Sequence, residues 1–184
     1  MSEIIFAPKP VLGTVAKPFI FKKGDKSLGA LLKKMEKALL SASDPKGVGL
    51  AAPQIGVSYS VFIAKPTEKS KITAYINPEI ISLSKLGKAK KGKKKRVKKL
   101  EGCLSLPNIW GQVLRSPEVV LLYADENGKQ ITKTFTGFMA TIVQHEVDHL
   151  NGILFPKRVL EQHGKLYKSY KNEKNQDEFD EIEI

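Results

Sequence analysis

Cysteine is all but absent. Cys103 stands alone among 184 residues, so no disulfide can form within the chain. A lone cysteine is ordinarily a small buried hydrophobe, yet in a reducing compartment it also stays available as a thiolate. Long apolar runs are missing too, since nothing approaches the roughly 18 residues of a membrane-spanning helix. The opening MSEIIFAPKPVLGTVAKPFI lacks the basic-then-apolar order of a secretion signal and the Arg- and Ser-rich character of a transit peptide. A cytoplasmic location is therefore expected. Internal repeats are also absent.

Acidic residues are missing from one stretch. Residues 85–99, KLGKAKKGKKKRVKK, hold ten Lys or Arg and no acid, and without them the net charge of +12 falls to +2. The basicity is thus one local feature, a lysine-rich inserted loop, and not a property of the whole chain. The tract has no interleaved aromatics, which excludes base stacking. Residues 173–184 hold six acids and one Lys and are expected to form a flexible tail. The remainder, residues 1–172, fits one catalytic domain, with 41% hydrophobic and 27% charged residues in the whole chain typical of a globular protein.

The hydrophobic spacing of Leu28, Leu31, Leu32, Met35, Leu39 and Leu40 predicts a helix, capped by Asp25 or Ser27. A loop, GVGLAAPQIGV, is expected over 47–57. Strands are expected at 59–64, 72–76 and 80–83, the last two separated by Asn77-Pro78. In EGCLSLP, Pro107 is expected to end an extended run. Segments 118–124 and 130–136 flank Asn127-Gly128, a hairpin signal. Gly137 to Leu150 reads as an apolar helix stopped by Asn151-Gly152, and an amphipathic piece follows over 157–170. Several strands before one strongly apolar helix suggest an α+β fold.

The strongest motif is QHEVDHLNG, residues 144–152. On a helix, His145 and His149 project from one face and can share a metal ion, with Glu146 beside an open coordination position. The surrounding helix is apolar, and placing two imidazoles and a carboxylate there costs free energy unless they are partnered. Two ligands leave a metal under-coordinated. In the HExxHxxGxxH pattern the third would be position 155, which is Phe155 here. Glu161 is one remaining candidate; Cys103 is the better one, because Gly102 leaves room beside it. A Cys-plus-two-His set suits Fe(II), Zn, Ni or Co and is too soft for Mg or Ca. In GVGLAAPQ, residues 47–54, the small residues let another strand or a peptide approach the backbone. Gln54 either donates its amide to a developing oxyanion or merely faces solvent.

Taken in this order, GVGLAAPQ, EGCLS and QHEVDHL resemble the three signature motifs of the peptide deformylase family, over roughly residues 5–160. The resemblance implies antiparallel or mixed β-sheets packed around a central HExxH-bearing helix. It implies Cys103, His145 and His149 as metal ligands, with Fe(II) native and Zn, Ni or Co as substitutes. Glu146 matches the catalytic acid/base, and Gln54 and the backbone NH of Leu104 match the oxyanion donors. Gly49 matches the position that lines up against the substrate chain. Val48, Phe138, Thr141 and Ile142 match the lining of a methionine pocket, and Glu101 and Arg115 match a charged pair bracing the Cys-bearing strand. Trp110 departs from the pattern near the mouth of the site, where many members carry arginine.

The implied reaction is hydrolysis of the N-formyl group from the N-terminal methionine of nascent polypeptides, releasing formate. Water activated at the metal attacks the formyl carbon, with Glu146 as general base and then acid. For such an enzyme the lysine tract has two readings, a solvated loop and an electrostatic handle for ribosomal RNA. Two rival functions stay open. A zinc endopeptidase needs a third ligand after His149; a basic RNA- or ribosome-binding protein with a structural metal needs a site closed by four ligands.

Overall fold

The computed structural model describes residues 4–42, 46–85 and 100–183. The lysine tract from 86 to 99 lies outside the described residues. Among the described residues, three α-helices, α1 (Ser27–Ser41), α2 (Gly137–Leu150) and α3 (Phe155–Glu161), accompany nine strands in two sheets. In the first sheet the order is β1 (Gly49–Ala51), β2 (Val61–Ala64), β3 (Thr73–Leu83), β6 (Glu118–Ala124) and β7 (Gln130–Thr136). In the second it is β4 (Glu101–Cys103), β5 (Leu106–Gly111), β8 (Leu166–Lys171) and β9 (Asp177–Ile182). All strand pairs in both sheets are antiparallel, so the α+β expectation holds without a mixed sheet.

The five-stranded sheet is covered on both faces. Strand β2, VFIA, shows why: all four side chains are buried. Phe62 and Ala64 point into a cluster with Ile142, Val143, Val147 and Leu150 of α2, while Val61 and Ile63 join Leu31, Met35 and Leu39 of α1. A continuous apolar strand is the signature of burial on two sides, and the period of two divides its residues between the helices. Helix α3 plays the same part for the second sheet, where Phe155 and Val159 pack with Leu166, Ile109 and Ile182.

Several boundaries differ from the sequence expectations for identifiable reasons. The strands over 72–76 and 80–83 are one, β3, whose pairing with β6 shifts register around Asn77-Pro78. A bulge absorbs a proline that has no NH to give the ladder. Asn77 adopts φ 50°, and its side chain bonds both the NH and the C=O of Phe19, at 2.7 and 2.9 Å. Pro107 does not end the extended run. It sits inside β5, at a bulge between the Gly102–Trp110 and Cys103–Leu106 pairs. The 47–57 loop contains strand β1 and a 3-10 turn, Ala52–Ile55. The expected amphipathic piece over 157–170 is two elements, α3 and β8.

The largest correction is the acidic tail. Residues 177–182 form β9, paired along its length with β8, in place of a flexible end. The lysines of β8 and its approach compensate the acids: Lys165 binds Glu181 at 2.7 Å and Lys171 binds Asp177 at 2.8 Å. Alternation of Asp and Glu with Phe179 and Ile182 hid a strand whose partner is a basic neighbour. As for α1, neither expected cap occupies the cap position: that residue is Lys26, with no side-chain cap hydrogen bond, and Asp25, one residue earlier, accepts the NH of Ser27 at 2.7 Å.

Helix α2 ends as the sequence expects. Gly152 follows at φ 68°, and a Cβ there would lie 2.7 Å from the backbone carbonyl of Gly13. Both the conformation and the space require glycine. Gly152→Ala is expected to lose at least about 1–3 kcal/mol from backbone strain alone. A urea unfolding midpoint equal to wild type would contradict this.

Candidate metal centre

Helix α2 carries the site because of what its own sequence buries. Ala140, Ile142, Val143, Val147 and Leu150 turn toward the five-stranded sheet, and the polar residues at 144, 145, 148 and 149 find partners elsewhere. Gln144 clasps the loop before β6. It accepts the NH of Ser116 at 3.0 Å and donates to Ser116 O and Ala140 O at 2.9 Å. That clasp sets Arg115 next door. The Arg115 guanidinium binds Glu101 of β4 through two nitrogens, at 2.7 and 3.1 Å, and Asp148 of α2 through the third. Asp148 also receives Arg158 from α3 at 2.7 Å. One buried chain of charges thus ties β4 to two helices.

Glu101 completes the link to the site, because His145 Nδ1 donates to its carboxylate at 2.7 Å. Burial by itself would raise the Glu101 pKa, but the hydrogen bonds from His145 and Arg115 hold it down at about 2. A fixed carboxylate on Nδ1 sets the tautomer and leaves Nε2 free to ligate. Cys103 Sγ lies 3.1 Å from His149 Nε2, and one ligand atom each from Cys103, His145 and His149 falls within 4.8 Å of the others. A tetrahedral shell at ordinary Zn–N and Zn–S bond lengths puts neighbouring donors roughly 3.5 Å apart. Burial pushes the Cys103 thiol up, yet the imidazoles of His149 and His145 outweigh it and bring the pKa to about 5. A thiolate beside two imidazoles in a buried setting is a cation site by its chemistry. The residues present fit a divalent transition metal.

Glu146 stands next to this group. It is 3% exposed, its Oε2 has no hydrogen-bond partner, and burial raises its pKa to about 7, with the neighbouring imidazoles opposing only in part. A carboxyl poised there can take and return a proton. Gly49 of β1 lies against it so closely that a Cβ would fall 2.8 Å from Glu146 Cδ. Gln54 is 2% exposed and not solvent-facing. Its Oε1 accepts the NH of Ala51 at 2.9 Å, which turns Nε2 toward Cys103 Sγ at 3.5 Å and Ser105 Oγ at 3.2 Å.

A cleft of about 350 Å³ opens onto these groups. Strands β1 and β4, each an edge of its sheet, both contribute residues to its lining. Of the residues singled out from sequence, Val48, Gly49, Gln54, Cys103 and Leu104 line it, as do Phe138, Thr141, Ile142, His145 and Glu146 from α2. His149 is the exception. It is 1% exposed, behind the cleft wall, and meets the others only through Cys103 and the ring of His145.

The geometry meets its counterparts in the comparisons with known proteins. The family model described as Polypeptide deformylase matches residues 1–165. The chain belongs to the peptide deformylase family. Peptide deformylase of Treponema pallidum is 38% identical over 160 residues, covering 87% of this chain and 89% of that one. The Borreliella burgdorferi peptide deformylase is 36% identical over 173 residues, 94% and 96% of the two chains. An actinonin-bound class I type b peptide deformylase from Acinetobacter baumannii superposes with a TM-score of 0.71 at 33% identity, covering 85% of this chain and 97% of that one. Family membership makes the chain a hydrolase that removes the N-formyl group from nascent peptides, and the endopeptidase and RNA-binding alternatives lose their footing.

Sequence reasoning missed the support around the site. Ser105, fully buried, accepts from Gln54, and Gln144, Asp148 and Arg158 hold the charge chain. Polar residues at 144 and 148, one turn apart on an apolar helix, were the available signal that a partner loop lay opposite. Glu161 bonds Arg158 at 3.0 Å, on the exposed side of α3. Arg115→Leu removes the shared buried partner of Glu101 and Asp148, leaving the one with His145 and the other with Arg158, and is expected to cost up to about 3–5 kcal/mol in denaturant unfolding. Loosening of Glu101 on His145 should also weaken metal retention by about 10–100-fold against a competing chelator.

Proposed function

We propose that Cys103, His145 and His149 hold one divalent metal ion and that Glu146 carries the proton in deformylation. The observation behind this reading is the Glu146 carboxyl, buried, unpartnered at Oε2 and adjoining the three-ligand cluster at the cleft. When bound, the metal supplies Lewis acidity toward the formyl oxygen and lowers the pKa of water. Glu146 takes the proton of the attacking water and passes it to the departing methionyl amine. Gln54 Nε2 and the backbone NH of Leu104 donate to the oxyanion that forms at the formyl carbon. Gly49 leaves the edge of β1 bare for the substrate backbone, and Val48, Phe138, Thr141 and Ile142 accept the methionine side chain. Products are formate and a free N-terminal methionine.

Fe(II) is the native ion in this reading, with Zn, Ni or Co as substitutes, because one thiolate and two imidazoles suit borderline-soft metals. Anaerobic purification followed by metal analysis tests it. The chain acts in the cytoplasm, and the 85–99 tract offers ten positive charges to ribosomal RNA near the emerging peptide. Deleting residues 88–96 should weaken ribosome co-sedimentation more at low salt than at high. Unchanged co-sedimentation across salt rules the handle out.

Glu146→Gln should retain the metal and lose deformylation of formyl-Met-Ala-Ser, whereas Gln54→Ala should lower kcat by about a hundred- to a thousand-fold. Turnover persisting in Glu146→Gln would falsify the assignment.

A further inference from the structure

The C-terminal hairpin, β8 and β9, lies beyond the residues that the family model matches, yet it touches a residue that lines the cleft. The connection is Trp110, the only tryptophan in the chain and a cleft-lining residue of β5. Residues directly opposite on neighbouring strands share a face of the sheet. Gly102, Trp110, Tyr167 and Glu181 are therefore aligned across all four strands on the face away from α3, and Ser169 and Phe179 lie beside them. Three contacts fix the indole there. Its benzo ring lies over Gly102, where a Cβ would come within 2.8 Å of it. Its NH donates to Ser169 Oγ of β8 at 2.9 Å, and Phe179 of β9 meets it edge-on with ring centroids 6.0 Å apart. Phe179 is 43% exposed, on a strand whose other residues are four acids and Ile182.

We infer that the hairpin is a positioning element for the substrate: Ser169 and Phe179 hold Trp110 as the wall against which residues after the methionine pack. The inference rests on the site assignment above. An extended chain advances about 3.3 Å per residue. With the formyl group beside Cys103, a peptide running along β4 comes level with Gly102 at about its methionine, so the indole, which lines the cleft beside Gly102, is within reach of the residues that follow. The wall is flat and aromatic, with a polar edge already satisfied by Ser169, so it favours apolar or aromatic side chains over acidic ones.

Phe179→Ala tests this with two substrates, formyl-Met-Ala-Ser and formyl-Met-amide. The expected result is a KM for the tripeptide raised about two- to ten-fold with kcat within about two-fold, and a much smaller change in KM for the amide. Phe179→Tyr restores the edge contact and should restore KM. Ser169→Ala, a milder change, should move KM the same way. Trp110 emission reads the contact directly: titrating the product peptide Met-Ala-Ser should shift it in wild type and shift it less in Phe179→Ala. A fall in kcat alone, an equal KM change for both substrates, or emission that ignores the peptide overturns the inference. Failure of the underlying site assignment shows elsewhere, as turnover in Glu146→Gln.

Discussion

The Arg115 guanidinium, buried between two carboxylates, is the interaction on which the rest of the site depends. It joins β4, which carries Cys103, to α2, which carries both histidines, and Cys103 is otherwise 42 and 46 residues from them in sequence. Burying an arginine is costly unless its donors are met, and here they are met by Glu101 and Asp148 together. Glu101 in turn sets the ring of His145. Stability and ligand orientation therefore share the same few atoms. A fold that kept its apolar core but lost this ion chain would retain the sheets and loosen the one contact between them that chemistry requires.

The two sheets do different work. The five-stranded sheet, buried between α1 and α2, is the rigid support for the helix and presents β1 as a bare edge. The four-stranded sheet brings the thiolate on its own edge strand and ends in the charged hairpin. A cleft bounded by two free edges suits an extended peptide, since each edge offers main-chain groups that are not tied to side-chain identity. Under the proposed function, specificity falls to side chains lining the cleft and the chemistry to α2.

Much of this was legible in the sequence, where local rules and global packing agree. Helix α2 has its expected limits because its apolar run and its Asn-Gly stop act locally, and the β6–β7 hairpin follows from Asn127-Gly128. Cys103 as a partner of the two histidines was legible as chemistry, since the position after His149 that might have served is phenylalanine. The illegible parts depend on partners distant in sequence. Ser105 and Gln144 look like ordinary polar residues until Gln54 and Ser116 are placed against them. Strand β9 reads as a flexible tail because four acids in six residues suppress any apolar pattern, and the lysines that compensate them, Lys165 just before β8 and Lys171 at its end, lie on its partner. Asn77-Pro78 looks like a break because a bulge has no local signature.

The contact of Gly49 with Glu146 has a bearing on how such a site can change over time. The acid rests on main chain, so no rotamer mediates between the edge that meets the substrate and the carboxyl assigned to the proton. Side chains at Val48, Phe138 or Trp110 can be exchanged, and recognition retuned, without disturbing that spacing. Residue 49 has no such freedom, because any Cβ there would press on the Glu146 carboxyl.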